Sequence, residues 1–329
     1  MEKLRVAVIG FGFMGKTHAR NILNSNRMEL TAIVDNRIDS ISQVSGNIDT
    51  GEIPPEILAG ISKYDNVDTC FAEALPDAVF VCVHTFSHYE IAIKALKQGL
   101  HVFIEKPFVL NVEEGERLIA EAKNRNLKLS VGHVVRYMPA YVKLHELYRN
   151  QTYGKLKSVS MTRFSGIPGW GEWDRLRKDF GSSGGGLFDL VIHDIDFLHY
   201  MLGMPDRVES KTVPGMLSNH DYVSAYWYYN RHDAFVKVEG GLTFHRKFPF
   251  EAAFRVSFED ASAVWSSSSG REMKIADNGT LQTIALEDAK EGYVTEAEQF
   301  AASIINNDNL ACTAESALNT VKLCYKHII

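Results

Sequence analysis

Short apolar runs alternate with helix-like segments over the first 131 residues, and this alternation limits the fold more than any other feature. Leu4–Ile9 ends in Gly10 and precedes a helix over Phe13–Leu23. Met28–Val34 ends at Asp35. Ala78–Val83 follows Pro76-Asp77 and leads into a helix over His88–Gln98, stopped by Gly99. A strand over His101–Ile104, a helix over Val112–Asn124 and a strand over Leu127–Val131 complete the series. Alternation of this kind predicts an α/β domain with a parallel sheet covered by helices on both faces. Ser45–Gly60, with Pro54-Pro55, reads as a loop or insertion.

The period changes after residue 131. Pro139–Tyr148 reads as a helix, and strands then dominate. In Phe235–Glu239, Val236 and Val238 oppose Lys237 and Glu239; in Ala253–Phe258, Phe254, Val256 and Phe258 oppose Arg255 and Ser257. Period-two alternation marks strands with one buried face, the habit of antiparallel sheets. Lys157–Phe164, Tyr222–Tyr229 and Ala263–Ser266 are further strand candidates, and Thr295–Asn306 and Ala314–His327 read as closing helices. The expected division is therefore an α/β domain over 1–131 and an α+β domain with an open, mostly antiparallel sheet over 132–329.

A chain of 329 residues is long enough for two such domains. Its 35 basic and 41 acidic residues give a formal net charge of −6, and no Lys/Arg cluster stands out, which argues against a nucleic-acid partner. Cys70, Cys82, Cys312 and Cys324 show no CxxC or CxxH spacing, as expected for a reducing compartment and against a structural metal module. No run approaches the apolar length of a membrane span. The expectation is a cytoplasmic protein without a membrane partner.

Gly10-Phe11-Gly12-Phe13-Met14-Gly15 has GxGxxG spacing between a strand and a helix. The first glycine permits a tight turn, the second lets a pyrophosphate approach the backbone, and the third lets helix and strand pack closely. Helix N-terminal amides then hold the phosphate charge. Asp35, twenty residues after Gly15, is placed to bond the adenosine ribose hydroxyls, favouring NAD over NADP; Arg37 would partly offset that preference, leaving NADP possible. A glycine turn without a ligand is the plainer reading of the six residues taken alone.

Two further segments carry chemistry. Glu105-Lys106-Pro107 follows a strand at its carboxyl end, where open α/β sheets bind ligands, and Pro107 restricts Lys106 to an extended backbone. Ser182–Gly186 precedes Leu187–Leu202; wound as a regular helix, Asp189, His193, Asp196 and Tyr200 fall on one stripe, with Leu187, Val191, Ile195, Leu198 and Leu202 opposite. Such a stripe can present an acid/base group to a cleft. A hydrogen-bonded core histidine or a metal set of Asp189, His193 and Asp196 would show the same spacing; metal is the least expected, with no further His or Cys nearby.

With these residues in order, the sequence resembles the Gfo/Idh/MocA oxidoreductases, the group of glucose–fructose oxidoreductase and inositol 2-dehydrogenase. Gly10–Gly15 continues into Lys16-Thr17-His18 like the family's first helix. Val83-His84-Thr85-Phe86-Ser87-His88 resembles its (T/V)-P-(N/T)-x-x-H turn, and Glu105-Lys106-Pro107 its signature. Val131-Gly132-His133 through Arg136-Tyr137-Met138-Pro139 resembles its G-x-x-x-R-(F/Y)-x-P segment, and Gly184 through His193 its GGGxxxDxxxH helix.

The resemblance implies a Rossmann domain and a second domain whose open sheet serves in oligomer contacts, as a homodimer or homotetramer. It implies that Lys106, Asp189 and His193 are catalytic. Cofactor contacts would be Gly10, Gly12, Phe13, Met14, Gly15, Asp35, Arg37, Val83, His84, Thr85, His88, Glu105 and Lys106. Arg136, Trp173, Arg177 and Asp189 would meet the substrate, Trp170, Trp173 and Arg177 lying in a loop over 165–180 that varies among members. Trp170, Trp173 and Tyr137 would suit stacking on a sugar or polyol face, though aromatics there could equally be core. No metal is implied. His84 departs from the family, where proline is usual, and leaves the shape of that turn open.

The expected reaction is hydride transfer between NAD (or NADP) and a secondary alcohol or ketone of a sugar, sugar derivative or cyclic polyol. His193 would exchange the hydroxyl proton, since an ordinary imidazole titrates near pH ~6.5. Lys106 would stabilise the alkoxide-like oxygen, and Asp189 would orient substrate and lysine. The alternatives are a same-fold dehydrogenase for a dihydrodiol or other non-sugar carbonyl, and a non-catalytic NAD-binding sensor.

Overall fold

A computed structural model describes residues 3–36, 53–167, 184–288 and 290–328, and divides the chain into two units. Unit 1 comprises residues 1–133 and 293–318, and unit 2 residues 134–292 and 319–329.

Unit 1 is built in chain order from β1 (Leu4–Ile9), α1 (Phe13–Leu23), β2 (Met28–Val34), α2 (Pro55–Ala59), β3 (Ser62–Tyr64), α3 (Val67–Ala74), β4 (Ala78–Val81), α4 (His88–Lys97), β5 (His101–Glu105), α5 (Val112–Asn124) and β6 (Leu129–Gly132). The six strands form one parallel sheet in the order β3-β2-β1-β4-β5-β6. Every side chain of β4 is buried, and β5 is buried from Val102 to Glu105, which is why these strands read as unbroken apolar runs. The order reverses between β1 and β4, so their carboxyl ends flank the crevice where open α/β sheets take ligands. The part of the expected loop over 53–60 holds the short helix α2, started by Pro55 at its first turn; residues 45–52 lie outside the described residues.

The expected single division near residue 131 differs from the structure at its far end. Ala297, Phe300 and Ala301 enter the same apolar cluster as Val6, Val8, Phe80 and Phe103, which draws residues 293–318 into unit 1. Ser130 Oγ donates to the carbonyl of Cys312 at 3.0 Å, and Lys123 pairs with Glu315 at 2.7 Å.

Unit 2 carries an eight-stranded sheet. Its elements are α6 (Pro139–Arg149), β7 (Leu156–Gly166), a π-helical turn over Leu187–Val191, α7 (Ile192–Leu202), β8 (Arg207–Val213), β9 (Tyr222–Tyr229), β10 (His232–Phe244), β11 (Glu251–Phe258), β12 (Ala261–Ser266), β13 (Glu272–Asp277) and β14 (Leu281–Ala285). Two helices follow, α8 (Lys290–Ile305) and α9 (Ala314–Lys326). The sheet order is β14-β13-β12-β11-β7-β10-β9-β8, antiparallel at each pairing except β7 with β10. Val236, Val238, Phe254, Val256 and Phe258 face inward, as the alternation predicts. The edge strands β8 and β14 carry no clean apolar alternation and are not legible in the sequence, and the sequence reading also missed β13, where buried Met273 and Ile275 alternate with exposed neighbours.

Candidate active site

In unit 1 the sequence motifs meet at the carboxyl ends of β1, β2, β4 and β5. Gly10 takes φ +89°, a conformation glycine tolerates, and its N–H donates to Val34 O at 2.7 Å. A Cβ on Gly15 would lie 1.9 Å from Gly10 O, so only glycine lets α1 approach the turn. A Cβ on Gly12 would meet nothing within 4 Å. The turn therefore opens on space in front of the N-terminus of α1, which has no side-chain cap and no acidic residue in its first turn, where Phe13 and Met14 lie. Uncapped helix amides beside open backbone suit a phosphate.

Asp35 follows β2, and its Oδ2 accepts the Phe11 N–H at 2.8 Å, tying this carboxylate to the glycine turn. Burial holds the neighbouring Lys16 below the usual lysine range, with Asp35 acting in the opposite sense. The residues present thus fit a dinucleotide: a phosphate cradle and, one strand over, a ribose-seeking acid. Arg37 lies outside the described residues.

The segment after β4 keeps its shape without proline. His84 sits at φ −65° and ψ 145°, the backbone that proline itself imposes, and leads into a 3-10 turn over Thr85–Ser87. Val83 and Thr85 are half-buried and His84 exposed, its ring stacked on Phe86 at 5.8 Å. His88, expected as a cofactor contact, is an internal brace. Only 1% exposed, it sets Nε2 against Val83 O at 3.1 Å and Nδ1 against Pro107 O and Phe108 O at 3.0 and 3.2 Å. It thereby ties the turn after β4 to the segment after β5. Burial lowers its pKa, and the three carbonyls oppose that.

Glu105, also expected at the cofactor, is held by internal bonds. Its carboxylate is buried, accepts from His18 Nε2 at 2.7 Å through Oε1 and from the Lys106 N–H at 3.2 Å through Oε2, and so turns into the unit. Burial works to raise its pKa, but the bond to His18 and the charges of His18 and Lys106 hold it below the usual glutamate range. Lys106, half-buried, stands next along the chain, joined to Pro107 by a cis peptide bond.

In unit 2 the glycine run serves packing. Cβ atoms on Gly184, Gly185 and Gly186 would lie 2.6 Å from the Phe188 ring, 2.0 Å from Ser218 Oγ and 2.4 Å from Asp221 O. Asp221, fully buried, accepts the N–H groups of Gly186, Leu217 and Ser218 at 2.9, 2.7 and 3.1 Å. The sequence reading missed this anchor, which carries no motif.

The helix beyond departs from regular winding: Leu187–Val191 is a π turn, a feature frequent at functional sites. Asp189 lies within it and His193 in the first turn of α7, both half-buried. Asp196 does not share their side. It is fully buried and holds Arg136 in a two-pronged pair, Nε to Oδ2 at 2.7 Å and Nη2 to Oδ1 at 2.6 Å, with the Thr320 hydroxyl on Oδ1 at 2.8 Å. The Arg136 guanidinium lies over the Tyr200 ring at 4.8 Å. Arg136, expected on the substrate, thus belongs to the interior of unit 2, and the expected acid/base stripe shrinks to Asp189, His193 and Tyr200. The physical reason is that α7 is covered nearly all round. Asp194, unread in the sequence, makes a second buried pair with Arg163 at 2.9 Å on both prongs and accepts from Tyr141 Oη at 3.3 Å. Tyr137 is buried, whereas Trp170, Trp173 and Arg177 lie outside the described residues.

Comparison with known proteins agrees with this layout. Residues 4–133 match the family model described as "Oxidoreductase family, NAD-binding Rossmann fold", and residues 141–264 that of the "GFO/IDH/MocA C-terminal domain". Among curated relatives, a myo-inositol 2-dehydrogenase of Thermotoga maritima is 31% identical over 213 residues, 64% of this chain and 58% of its own length. A D-glucoside 3-dehydrogenase of Escherichia coli is 29% identical over 205 residues, 61% of this chain and 55% of its own. The chain thus spans less than two thirds of the length of these relatives. Among solved structures, a UDP-N-acetylglucosamine 3-dehydrogenase from Acidithiobacillus ferrooxidans superposes with a TM-score of 0.80 at 22% identity, over 99% of this chain and 96% of that one, a likeness of fold.

Proposed function

The chain belongs to the Gfo/Idh/MocA family of oxidoreductases, and from that premise we propose that it transfers hydride between NAD and a secondary alcohol or ketone of a sugar, sugar derivative or cyclic polyol. The observation that carries this reading is the turn after β1, where Gly12 leaves room that any side chain would fill, Gly15 brings α1 against it, and Asp35 is bonded to it. Bound there, NAD supplies the hydride acceptor. The N-terminal amides of α1 hold the pyrophosphate, and the Asp35 carboxylate favours free ribose hydroxyls over a 2′-phosphate, hence NAD over NADP.

Lys106, Asp189 and His193 act on the substrate. A cationic amine on the reacting oxygen favours its alkoxide-like form. The His193 imidazole takes the hydroxyl proton in oxidation and returns it in reduction, and the Asp189 carboxylate orients the substrate. The relatives named for inositol and glucoside dehydrogenation support polyol and sugar hydroxyls as the class. An exposed sheet face bearing Tyr226, Tyr228, Phe235 and Val264 supports self-association as a dimer or tetramer. The four cysteines, all free thiols, fit a cytoplasmic enzyme; among the described residues no helix is long and apolar enough to cross a membrane.

The test is NAD reduction screened across inositols, glucosides and nucleotide sugars, with Lys106→Ala and His193→Ala as controls. Each variant is expected to lose turnover at least a hundredfold while still binding NAD. Near-normal turnover in both would overturn the assignment, and NAD binding with no turnover on any substrate would favour a sensor.

A further inference from the structure

One buried group in unit 1 is not used by the proposed chemistry. Glu296, on α8, is 2% exposed, and neither of its carboxyl oxygens has a hydrogen-bond partner. One atom each of Glu296, His18 and Glu105 lie within 4.8 Å of one another. The surroundings are aromatic: His18 packs between Phe80 and Phe103 at 5.2 and 5.1 Å, and Phe300, one helical turn beyond Glu296, packs on both rings.

Two carboxylates this close in so dry a place cannot both stay charged beside one imidazole; something must neutralise one of them. The choice lies between a cation and a proton. The short His18–Glu105 bond is already made, at 2.7 Å, and aromatic rings offer a metal no further ligand. A proton needs only the three groups themselves. Of the two carboxyls, Glu105 accepts two hydrogen bonds and has the Lys106 charge beside it, whereas Glu296 has neither aid. Among the described residues, further titratable neighbours are the Cys82 thiol, pushed up by burial and by both glutamates, and the His88 imidazole, pushed down by burial with Glu105 opposing; in each, burial favours the neutral form.

We propose that Glu296 is a neutral carboxylic acid beside the hydrogen-bonded His18–Glu105 pair, and that His18 and Glu296 are positioning residues acting on Lys106 through Glu105. Glu105 has one oxygen on His18, in the helix that follows the glycine turn, and the other on the backbone N–H of Lys106. Gly132 leaves room for this carboxylate, since a Cβ there would stand 3.2 Å from Oε1. Were Glu296 to ionise, its charge would push on Glu105, and the strain would reach both the lysine and the helix behind the phosphate turn. Burial, then the charge of Glu105, pushes Glu296 well above the usual glutamate range, in keeping with the neutral form.

The inference about Lys106 rests on the proposed function; the protonation of Glu296 does not, and the experiment separates them. Infrared spectra of the full chain at pH 7 should show the carbonyl stretch of a protonated, dehydrated carboxylic acid that disappears in Glu296→Gln, whether or not a substrate is known. In turnover, Glu296→Gln, which keeps a neutral group of the same shape, should exceed Glu296→Leu at least fivefold in kcat. Glu105→Gln should lower kcat at least tenfold with the Kd for NAD within threefold of the parent. Absence of the infrared band, stoichiometric divalent metal in the purified protein that Glu296→Gln abolishes, or equal kcat in the Gln and Leu variants would each overturn the proposal. Should Glu105→Gln fail to fold, the Glu296 pair and the spectra of the parent chain still decide it.

Discussion

Gly12 and Gly15 occupy one turn, and the same substitution should fail at each for opposite reasons. At Gly15 an alanine Cβ would stand 1.9 Å from the Gly10 carbonyl oxygen, a backbone atom that cannot swing aside. Overpacking of that kind costs about 1–3 kcal/mol or more, so Gly15→Ala should lower stability and cofactor binding together. At Gly12 a Cβ meets nothing within 4 Å, and φ −72° suits alanine. The poorer N-cap and the stiffer unfolded chain oppose each other, so stability should change by less than about 1 kcal/mol. The new methyl group would, however, take the space a pyrophosphate needs. Losing one charge-assisted hydrogen bond to the turn costs about 1.5–3 kcal/mol, a rise of roughly 10- to 150-fold in Kd for NAD. Urea denaturation followed by circular dichroism and calorimetric titration with NAD measure the two effects separately. If Gly12→Ala folds normally and binds NAD as tightly as the parent, the cradle assigned to this turn is wrong.

Two further outcomes follow from buried groups in unit 2. Arg136→Ala leaves the Asp196 carboxylate buried without its guanidinium and should cost about 3–5 kcal/mol in urea denaturation; a raised KM at unchanged stability would instead return Arg136 to the substrate. His327, buried and accepting from Trp227 Nε1 at 2.9 Å, has its pKa lowered to about 4 by burial, with the Leu323 carbonyl opposing. The folded state therefore excludes a proton that the unfolded state binds below pH ~6.5, so its contribution is complete above that value and is lost as the pH falls towards 4. The loss should approach roughly 3 kcal/mol and be absent in His327→Gln, which denaturation at pH 7 and pH 4.5 would show; parallel losses in both would refute it.

The parts of this chain that could be read without coordinates are those where burial or backbone geometry leaves a period or a glycine. β2, β9 and α1 lie where their apolar patterns place them, and Gly10 and Gly15 take up the roles their spacing implies. Edge strands such as β14 face solvent along most of their length, and nothing in the sequence forces a pattern on them. The helix with Asp189 and His193 shows a different failure. Regular winding sets Asp196 beside them, but the pairs with Arg136 and Arg163 let the acidic side chains of α7 be buried. Charge in a sequence is not exposure in a fold once a guanidinium is available to receive it.

Glu105 and Glu296 carry the same lesson to the candidate site. Glu105 is conspicuous in the sequence because it adjoins Lys106, yet its carboxylate is buried and bonded to His18 and to the Lys106 N–H. Glu296 is inconspicuous because it belongs to no motif, although it stands one turn before Phe300 on the apolar stripe of α8, and a carboxylate on such a stripe signals an internal partner. The two residues meet only because residues 293–318 return to the first unit, a pairing across 191 positions that no local pattern encodes. Spacing therefore identifies which residues can contact a ligand, while the residues that hold them in place are set by tertiary packing. In this protein the second set lies in the dry side of the same sheet end, where a single proton decides whether the lysine beside it is held or pushed.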